Sequence, residues 1–473
     1  MSKTILLNQS DWHFTKENPG IPTAVMGEAV ALPHTWNAVD GQDGGNDYWR
    51  GTCTYRTDFA APVFDPAQQQ VWLQFEGVNS SVTVLLNGQQ LCTHDGGYST
   101  FRAEVTGLLQ AENQLTVQVD NSVNDRVYPQ KADFTFYGGI YRDVSLLVVN
   151  KNHIALGHFG DTGVKITPVL KEGSADIQVE TLVEGEGTVV VELLDAEGNS
   201  VARGEGEKTS LHLDAPHLWN GVKDPYLYTC VVRLMQDGKP VDEVTTKVGL
   251  RSFSVDAKKG FFLNGKSYPL HGVSRHQDRK GLGNAITREM HDEDMALIRE
   301  LGANTVRLAH YQHDQYFYDL CDKYGMVVWA EIPYISEHLP NGRENTISQM
   351  KELIHQNYNH PSIVCWGVSN EITISTKDKA DMLDNHRVLN ELCHEMDPTR
   401  LTTLACYAMC GPFNPVAHIT DLVSWNLYLG WYVPGLFLND LWMGFFHLVY
   451  PNRPLGFSEY GAEGMPNLHS AHP

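Results

Sequence analysis

Ile363-Val364-Cys365-Trp366-Gly367-Val368-Ser369-Asn370-Glu371 is an apolar run that ends on an amide and a carboxylate. Pro454-Leu455-Gly456-Phe457-Ser458-Glu459 repeats the pattern with a second glutamate at its exit. Continuous apolar stretches of this length are the mark of strands buried on both faces. A charge at the end of such a strand faces the rim of the sheet. In a parallel α/β barrel that rim is where chemistry is placed.

Working outward from these runs, strand and helix patterns alternate from about residue 254 onward. Pro269 to His276 reads as strand one and Thr287 to Leu301 as a helix closed by Gly302. Thr305 to His310 is strand two, and Phe317, Leu320, Cys321 and Tyr324 share one face of the helix after it, which Gly325 ends. Met326 to Ile332 is strand three, followed by a helix with Ile347, Met350 and Ile354 in register. Strand four ends at Glu371, and Leu401 to Tyr407, Leu422 to Tyr428 and Pro454 to Glu459 are strands five to seven. A closed barrel needs eight strands, so residues 254–473 read as a (β/α)8 TIM barrel truncated after strand seven.

The first 250 residues have a different rhythm. Val71-Trp72-Leu73-Gln74-Phe75-Glu76 and Leu115-Thr116-Val117-Gln118-Val119-Asp120 alternate apolar and polar residues, as half-buried strands do. Val82 to Leu86 runs into Asn87-Gly88, a strong hairpin signal. The pattern restarts near residue 150, with Ile177 to Thr181, Val189 to Val191 and Tyr226 to Val232 as further strands. Residues 1–150 therefore read as one β-sandwich, and 151–253 as an immunoglobulin-like one.

Composition narrows the classes. The net charge of −22 over 473 residues argues against nucleic acid or an anionic membrane as partner. No stretch has the apolar length of a membrane span, and the apolar run near Met1 is too short for a signal peptide. The 8 cysteines are scattered, as expected for reduced thiols in a cytoplasmic protein. Cys406 and Cys410 lack a second pair at zinc spacing.

Two carboxylates facing each other at one barrel mouth suit cleavage of a glycosidic bond, one as acid/base and one as nucleophile. Further stretches share that context. They are Tyr48-Trp49-Arg50-Gly51, Asp133 to Val144 (Asp-Phe-Thr-Phe-Tyr-Gly-Gly-Ile-Tyr-Arg-Asp-Val), Asp224-Pro225-Tyr226, Gly272-Val273-Ser274-Arg275-His276, Arg307-Leu308-Ala309-His310-Tyr311 and Asn359-His360-Pro361. In this order, with Asn370-Glu371 and Glu459-Tyr460-Gly461, the chain resembles glycoside hydrolase family 2, the family of β-galactosidases, β-glucuronidases and β-mannosidases.

The resemblance implies a jelly-roll-like, sugar-binding β-sandwich over 1–150. It makes Glu371 the general acid/base and Glu459 the nucleophile of a retaining exo-β-glycosidase. It further implies that Tyr428 donates to Glu459, that Asn370 binds the sugar 2-hydroxyl, and that His276 and His310 line the sugar site. Arg307, a cation within strand two, needs a buried anion, for which Glu459 is the expected partner. Asp133 is expected to reach over the barrel mouth and bind a sugar hydroxyl, Asn121 on a neighbouring strand end to bind substrate as well, and Trp431 to serve as a stacking platform.

Some members hold magnesium through Glu-x-His after strand three. Here Glu337 and His338 are adjacent, so no metal ligand set is expected, and two carboxylates need no cofactor. Ser458 to Gly464 and Leu468-His469-Ser470 look like the galactosidase branch, and hydrolysis of terminal β-D-galactosides is the expected activity. Asn426 to Val433 is similar to glucuronidases, which makes β-glucuronidase the alternative. A non-catalytic carbohydrate-binding protein is the alternative of another class. The expected partner is a small carbohydrate, with no nucleic acid or membrane, and the chain is expected to form a homo-oligomer.

Overall fold

The structure, a computed structural model, describes residues 2–16, 27–40 and 48–461. The segment 462–470, on which part of the galactosidase resemblance rests, lies outside the described residues.

Alternating burial builds the first sandwich. A four-stranded sheet (Lys3–Leu6, Val144–Asn150, Gln69–Phe75, Phe101–Glu104) faces a six-stranded sheet that includes Thr52–Ala60, Glu112–Asp120 and Ser81–Leu86. Val71, Leu73 and Phe75 from one sheet meet Val82, Val84, Leu115 and Val117 from the other in a single core. The Asn87-Gly88 hairpin forms as expected, with φ of +54° and +80° at its corner, the left-handed pair that joins strands of natural twist. A second sandwich follows. Sheets of three and four strands, centred on Ser174–Thr181 and Tyr228–Gln236, enclose Ile177, Val191, Cys230 and Leu234.

The third unit is a parallel sheet of seven strands in sequential order. They are β1 (Gly272–Arg275), β2 (Thr305–Leu308), β3 (Val327–Glu331), β4 (Ile363–Asn370), β5 (Leu401–Tyr407), β6 (Val423–Asn426) and β7 (Leu455–Glu459). Helices α1 (Arg288–Glu300), α2 (Gln315–Tyr324), α3 (Arg343–Asn357), α4 (Lys379–Met396) and α5 (Leu438–Val449) connect them. Gly325 ends α2 in the left-handed conformation, as its position predicts. Every residue of β4 is buried; Trp366 and Val368 join Val328, Leu404 and Trp425 in the barrel core.

The sheet curls almost to closure. Among the described residues β1 and β7 do not pair, but the Ser274 hydroxyl of β1 lies 3.5 Å from the Ser458 carbonyl of β7. Both strands are less buried than β4, and Phe457 on β7 is 42% exposed. Among the described residues this seam between β1 and β7 is therefore unpaired, at the place an eighth strand occupies in a closed barrel.

Several observed strands are shorter than the sequence suggests, and β1 ends at Arg275. β1 begins at Gly272 rather than Pro269, β2 stops at Leu308, and β6 stops at Asn426. His276, His310 and Tyr428 consequently stand just past the strand ends, on backbone free to turn into the mouth. The sandwiches are bolted to the barrel. Arg142 donates to the Gln277 side chain at 3.2 Å and the Gln312 carbonyl at 3.0 Å, and Arg251 donates to the Pro361 carbonyl at 2.9 Å.

Candidate active site

Glu371 follows the last residue of β4 and takes a left-handed backbone, φ +48°. A non-glycine residue there is strained. The Glu371 amide donates to the Ala405 carbonyl of β5 at 2.8 Å, which ties the turn to its neighbour. Its Oε1 accepts from Asn426 Nδ2 at 2.9 Å. Burial raises its pKa, the Asn426 hydrogen bond opposes that, and the anions of Glu459 and Asp133 add to the rise, so the carboxyl is held above its ordinary value.

Glu459, the last residue of β7, has the opposite surroundings. Arg307 Nη1 donates to Oε1 at 2.6 Å and the Tyr428 hydroxyl donates to Oε2 at 2.7 Å. Burial alone raises its pKa, but the charges of Arg307 and His310 and the Tyr428 and Arg307 hydrogen bonds outweigh it, so the carboxyl is held below its ordinary value. Burial and Glu459 also push the Tyr428 phenol upward, so Tyr428 remains a proton donor. The pKa values of two carboxyl groups at one rim are thus pushed in opposite directions, which is the division a double displacement uses.

Arg307 organises the floor. Besides Glu459, it donates from Nε and Nη2 to the two oxygens of Glu331, each at 3.0 Å, and from Nη2 to Asn370 Oδ1 at 2.8 Å. The expected partner is therefore present, but the bidentate one is Glu331 of β3, which sequence reasoning missed. Its signal was there, since Glu331 ends an apolar strand just as Glu371 follows one. His310 Nδ1 lies 2.6 Å from Glu331 Oε1, and its Nε2 lies 3.8 Å from Glu459 Oε1. Asn370 Oδ1 accepts from both Arg307 and Asn426, so what the amide can offer a sugar is its NH2. Asn426, a second omission, holds Asn370 and Glu371 together; its own Oδ1 accepts from Ser458 at 2.6 Å.

His276 stands beside His310, ring centroids 5.2 Å apart. Burial, then the neighbouring His310 and Arg307, pushes its pKa down to about 3, so the ring is neutral. The loop of the first sandwich reaches the mouth as expected. Asp133 is exposed and acts on Glu371 through its charge, and Lys131 Nζ donates to Ser375 Oγ at 2.7 Å. The residue that enters the cluster is its neighbour Phe134, whose ring centroid lies 5.0 Å from that of His276 and 5.8 Å from that of His310.

The expectation for Asn121 needs correction. Asn121 is buried, with Oδ1 accepting from the Gly51 amide at 2.9 Å and Nδ2 donating to the Phe136 carbonyl at 3.1 Å. Its polar atoms are spent on backbone, so it braces the loop that carries Asp133 and Phe134 rather than facing a sugar. Trp431 sits in the turn after β6, its indole Nε1 buried. Its neighbour Tyr432 is the ring that packs on Tyr428, centroids 5.1 Å apart. In the segment compared with the Glu-x-His magnesium motif, both ring nitrogens of His338 are engaged, by the Tyr334 hydroxyl and by Asp381, each at 2.6 Å.

Family models match along the length of the chain. "Glycosyl hydrolase 2 galactose-binding domain-like" covers residues 12–170, "Glycosyl hydrolases family 2" covers 158–251, and "Glycosyl hydrolases family 2, TIM barrel domain" covers 254–471. The chain belongs to glycosyl hydrolase family 2. It is 38% identical to a β-glucuronidase of Bacteroides fragilis over 97% of this chain and 68% of that protein. A β-galactosidase of Thermoanaerobacter pseudethanolicus is 29% identical over 79% of this chain and 51% of its own length. The solved structure of an FMN-binding β-glucuronidase from Facaelibacterium prausnitzii L2-6 superposes with a TM-score of 0.95 at 42% identity, covering 100% of this chain and 74% of that one. The chain thus spans between half and three quarters of the length of these relatives. Among the described residues no helix is long and apolar enough to cross a membrane.

Proposed function

We infer that the protein is a retaining exo-β-glycosidase whose substrate is a terminal β-D-glucuronide. The observation that carries the reaction class is the contrast between two glutamates at one barrel mouth: burial and the Glu459 charge raise the pKa of Glu371, while Arg307 and Tyr428 donate to Glu459 and lower its pKa. Glu371 protonates the departing glycosidic oxygen while Glu459 attacks the anomeric carbon, forming a covalent glycosyl-enzyme. Water, deprotonated by the same Glu371, then releases the sugar with its configuration retained. Asn370 is placed to donate to the 2-hydroxyl, an interaction that strengthens as the transition state forms. A non-catalytic binder has no use for two neighbouring carboxyl groups whose pKa values are pushed apart.

The sugar assignment departs from the galactoside expectation. The name β-glucuronidase is carried by the 38%-identical relative and by the structure that superposes at 0.95. The stretch Asn426 to Val433, which supplies Asn426 and Tyr428 to the site, supports the same reading. A β-galactoside remains the second reading because a β-galactosidase is also among the relatives. Comparing kcat/KM for 4-nitrophenyl β-D-glucuronide and β-D-galactoside tests it. Preference for the glucuronide is expected; preference for the galactoside overturns the sugar assignment, and hydrolysis of neither overturns the activity.

A further inference from the structure

Away from the catalytic carboxylates, a short loop between the sandwiches meets the barrel helix α3. His158 and Asp161 stand on the loop and His355 on the last turn of α3. Both histidines aim Nδ1 at the same atom, Asp161 Oδ2, at 2.9 Å from His158 and 3.5 Å from His355. The two rings stand perpendicular, centroids 4.4 Å apart.

The backbone is bent to achieve this. Phe159 and Gly160 are consecutive left-handed residues, φ +48° and +71°, a conformation that disfavours the phenylalanine. That bend lays the Phe159 ring flat on His355, centroids 4.6 Å apart at 4°. The other carboxylate oxygen, Asp161 Oδ1, is fixed by the Gly163 amide at 2.8 Å. Gln356 Nε2, beside His355, donates to the carbonyls of Phe159 at 2.7 Å and Thr100 at 2.9 Å. The carboxylate is thus fixed by backbone, the His355 ring by stacking, and the loop by Gln356.

We propose that His158, Asp161 and His355 form a zinc-class divalent metal site that staples the loop between the two sandwiches to the barrel. Zinc bonds to imidazole nitrogen and carboxylate oxygen of about 2.0–2.2 Å place tetrahedral donors about 3.3–3.5 Å apart. The two edges to Asp161, 2.9 and 3.5 Å, bracket that value, and one ligand atom from each of the three residues lies within 4.8 Å of the others. Nitrogen and carboxylate donors together suit zinc and its first-row neighbours better than calcium or magnesium, which take oxygen. Three protein ligands at a half-exposed position leave the fourth to water. None of the three stands at a strand exit, so the ion's role is structural. The Gly163 amide on Asp161 Oδ1 is support of the kind that orients a metal-ligating carboxylate.

The test titrates chelator-stripped protein with Zn2+ alone by calorimetry and follows its thermal midpoint, beside His355→Gln and His158→Gln. Circular dichroism of the metal-free variants establishes that they fold. One saturable equivalent and a raised midpoint are expected for the parent, both lost in each variant. Equal uptake by parent and variants, or no saturable equivalent in the parent, overturns the proposal. Co2+ added to the parent supplies a readout that needs no variant. Visible bands of a tetrahedral nitrogen–oxygen site are expected, and the spectrum of hexahydrated cobalt alone contradicts it.

Discussion

Arg307 Nη1 stands 2.6 Å from Glu459 Oε1, and this contact determines which of the two glutamates is the anion. The guanidinium is buried and has its other nitrogens committed to Glu331 and Asn370. It cannot swing away, so the charge facing Glu459 is fixed before any substrate arrives. Electrostatic preorganisation of this kind is usually a large part of an enzyme's rate enhancement.

Replacing Arg307 with Gln therefore has two expected effects. The first is on pH dependence. A depressed nucleophile pKa puts the acidic limb of kcat/KM below the ordinary glutamate range, because activity is lost only as pH falls through the folded value. Without the guanidinium that limb moves to higher pH. The second is on stability, because Glu331 is left as a buried charge without its bidentate partner, a loss of about 3–5 kcal/mol. A pH–rate profile and a urea melt read the two separately; an unmoved acidic limb contradicts the role given to Arg307.

Asn426→Ala acts on the other glutamate. Its hydrogen bond lowers the Glu371 pKa, so its removal raises that pKa further. The protonated acid then persists to higher pH, and the basic limb of the profile shifts upward. Loss of the donor that fixes the carboxyl is expected to lower kcat by about 10²-fold. A lower kcat with an unmoved basic limb assigns Asn426 to positioning alone.

Phe134→Ala tests whether the first sandwich completes the active site. The ring touches His276 and His310 but is only half-buried, so the thermal midpoint is expected to hold while kcat/KM falls about tenfold, mainly through KM. Asn121→Ala is expected to do the reverse. Orphaning the Gly51 amide and the Phe136 carbonyl costs about 1–3 kcal/mol, seen as a lowered midpoint.

The barrel was legible because β4 and β7 are apolar runs that end in charge, and both glutamates came directly from that signal. Arg307 was legible as a cation inside a strand that needs a buried anion, and Tyr428 was legible only through the family resemblance. Glu331 and Asn426 were not singled out, since their roles depend on which side chains two other strands bring to the same rim. Phe134 was masked by Asp133, because an acidic residue suggests chemistry and an aromatic one suggests packing. Asn121 misled for a similar reason. Its amide suits a sugar, but here the backbone turns of its own domain already occupy it.

The roles of Glu371 and Glu459 are tested most directly by azide rescue of the two alanine variants on an aryl β-glycoside with a good leaving group. Glu371→Ala should still form the glycosyl-enzyme, because that leaving group hardly needs protonation, and the intermediate should accumulate for want of a base. Azide needs no base, so it should restore turnover and release the β-glycosyl azide. Glu459→Ala lacks the nucleophile and should release only the α-azide, by direct displacement. The β-azide from Glu459→Ala, with the α-azide from Glu371→Ala, would contradict the account and exchange the two roles.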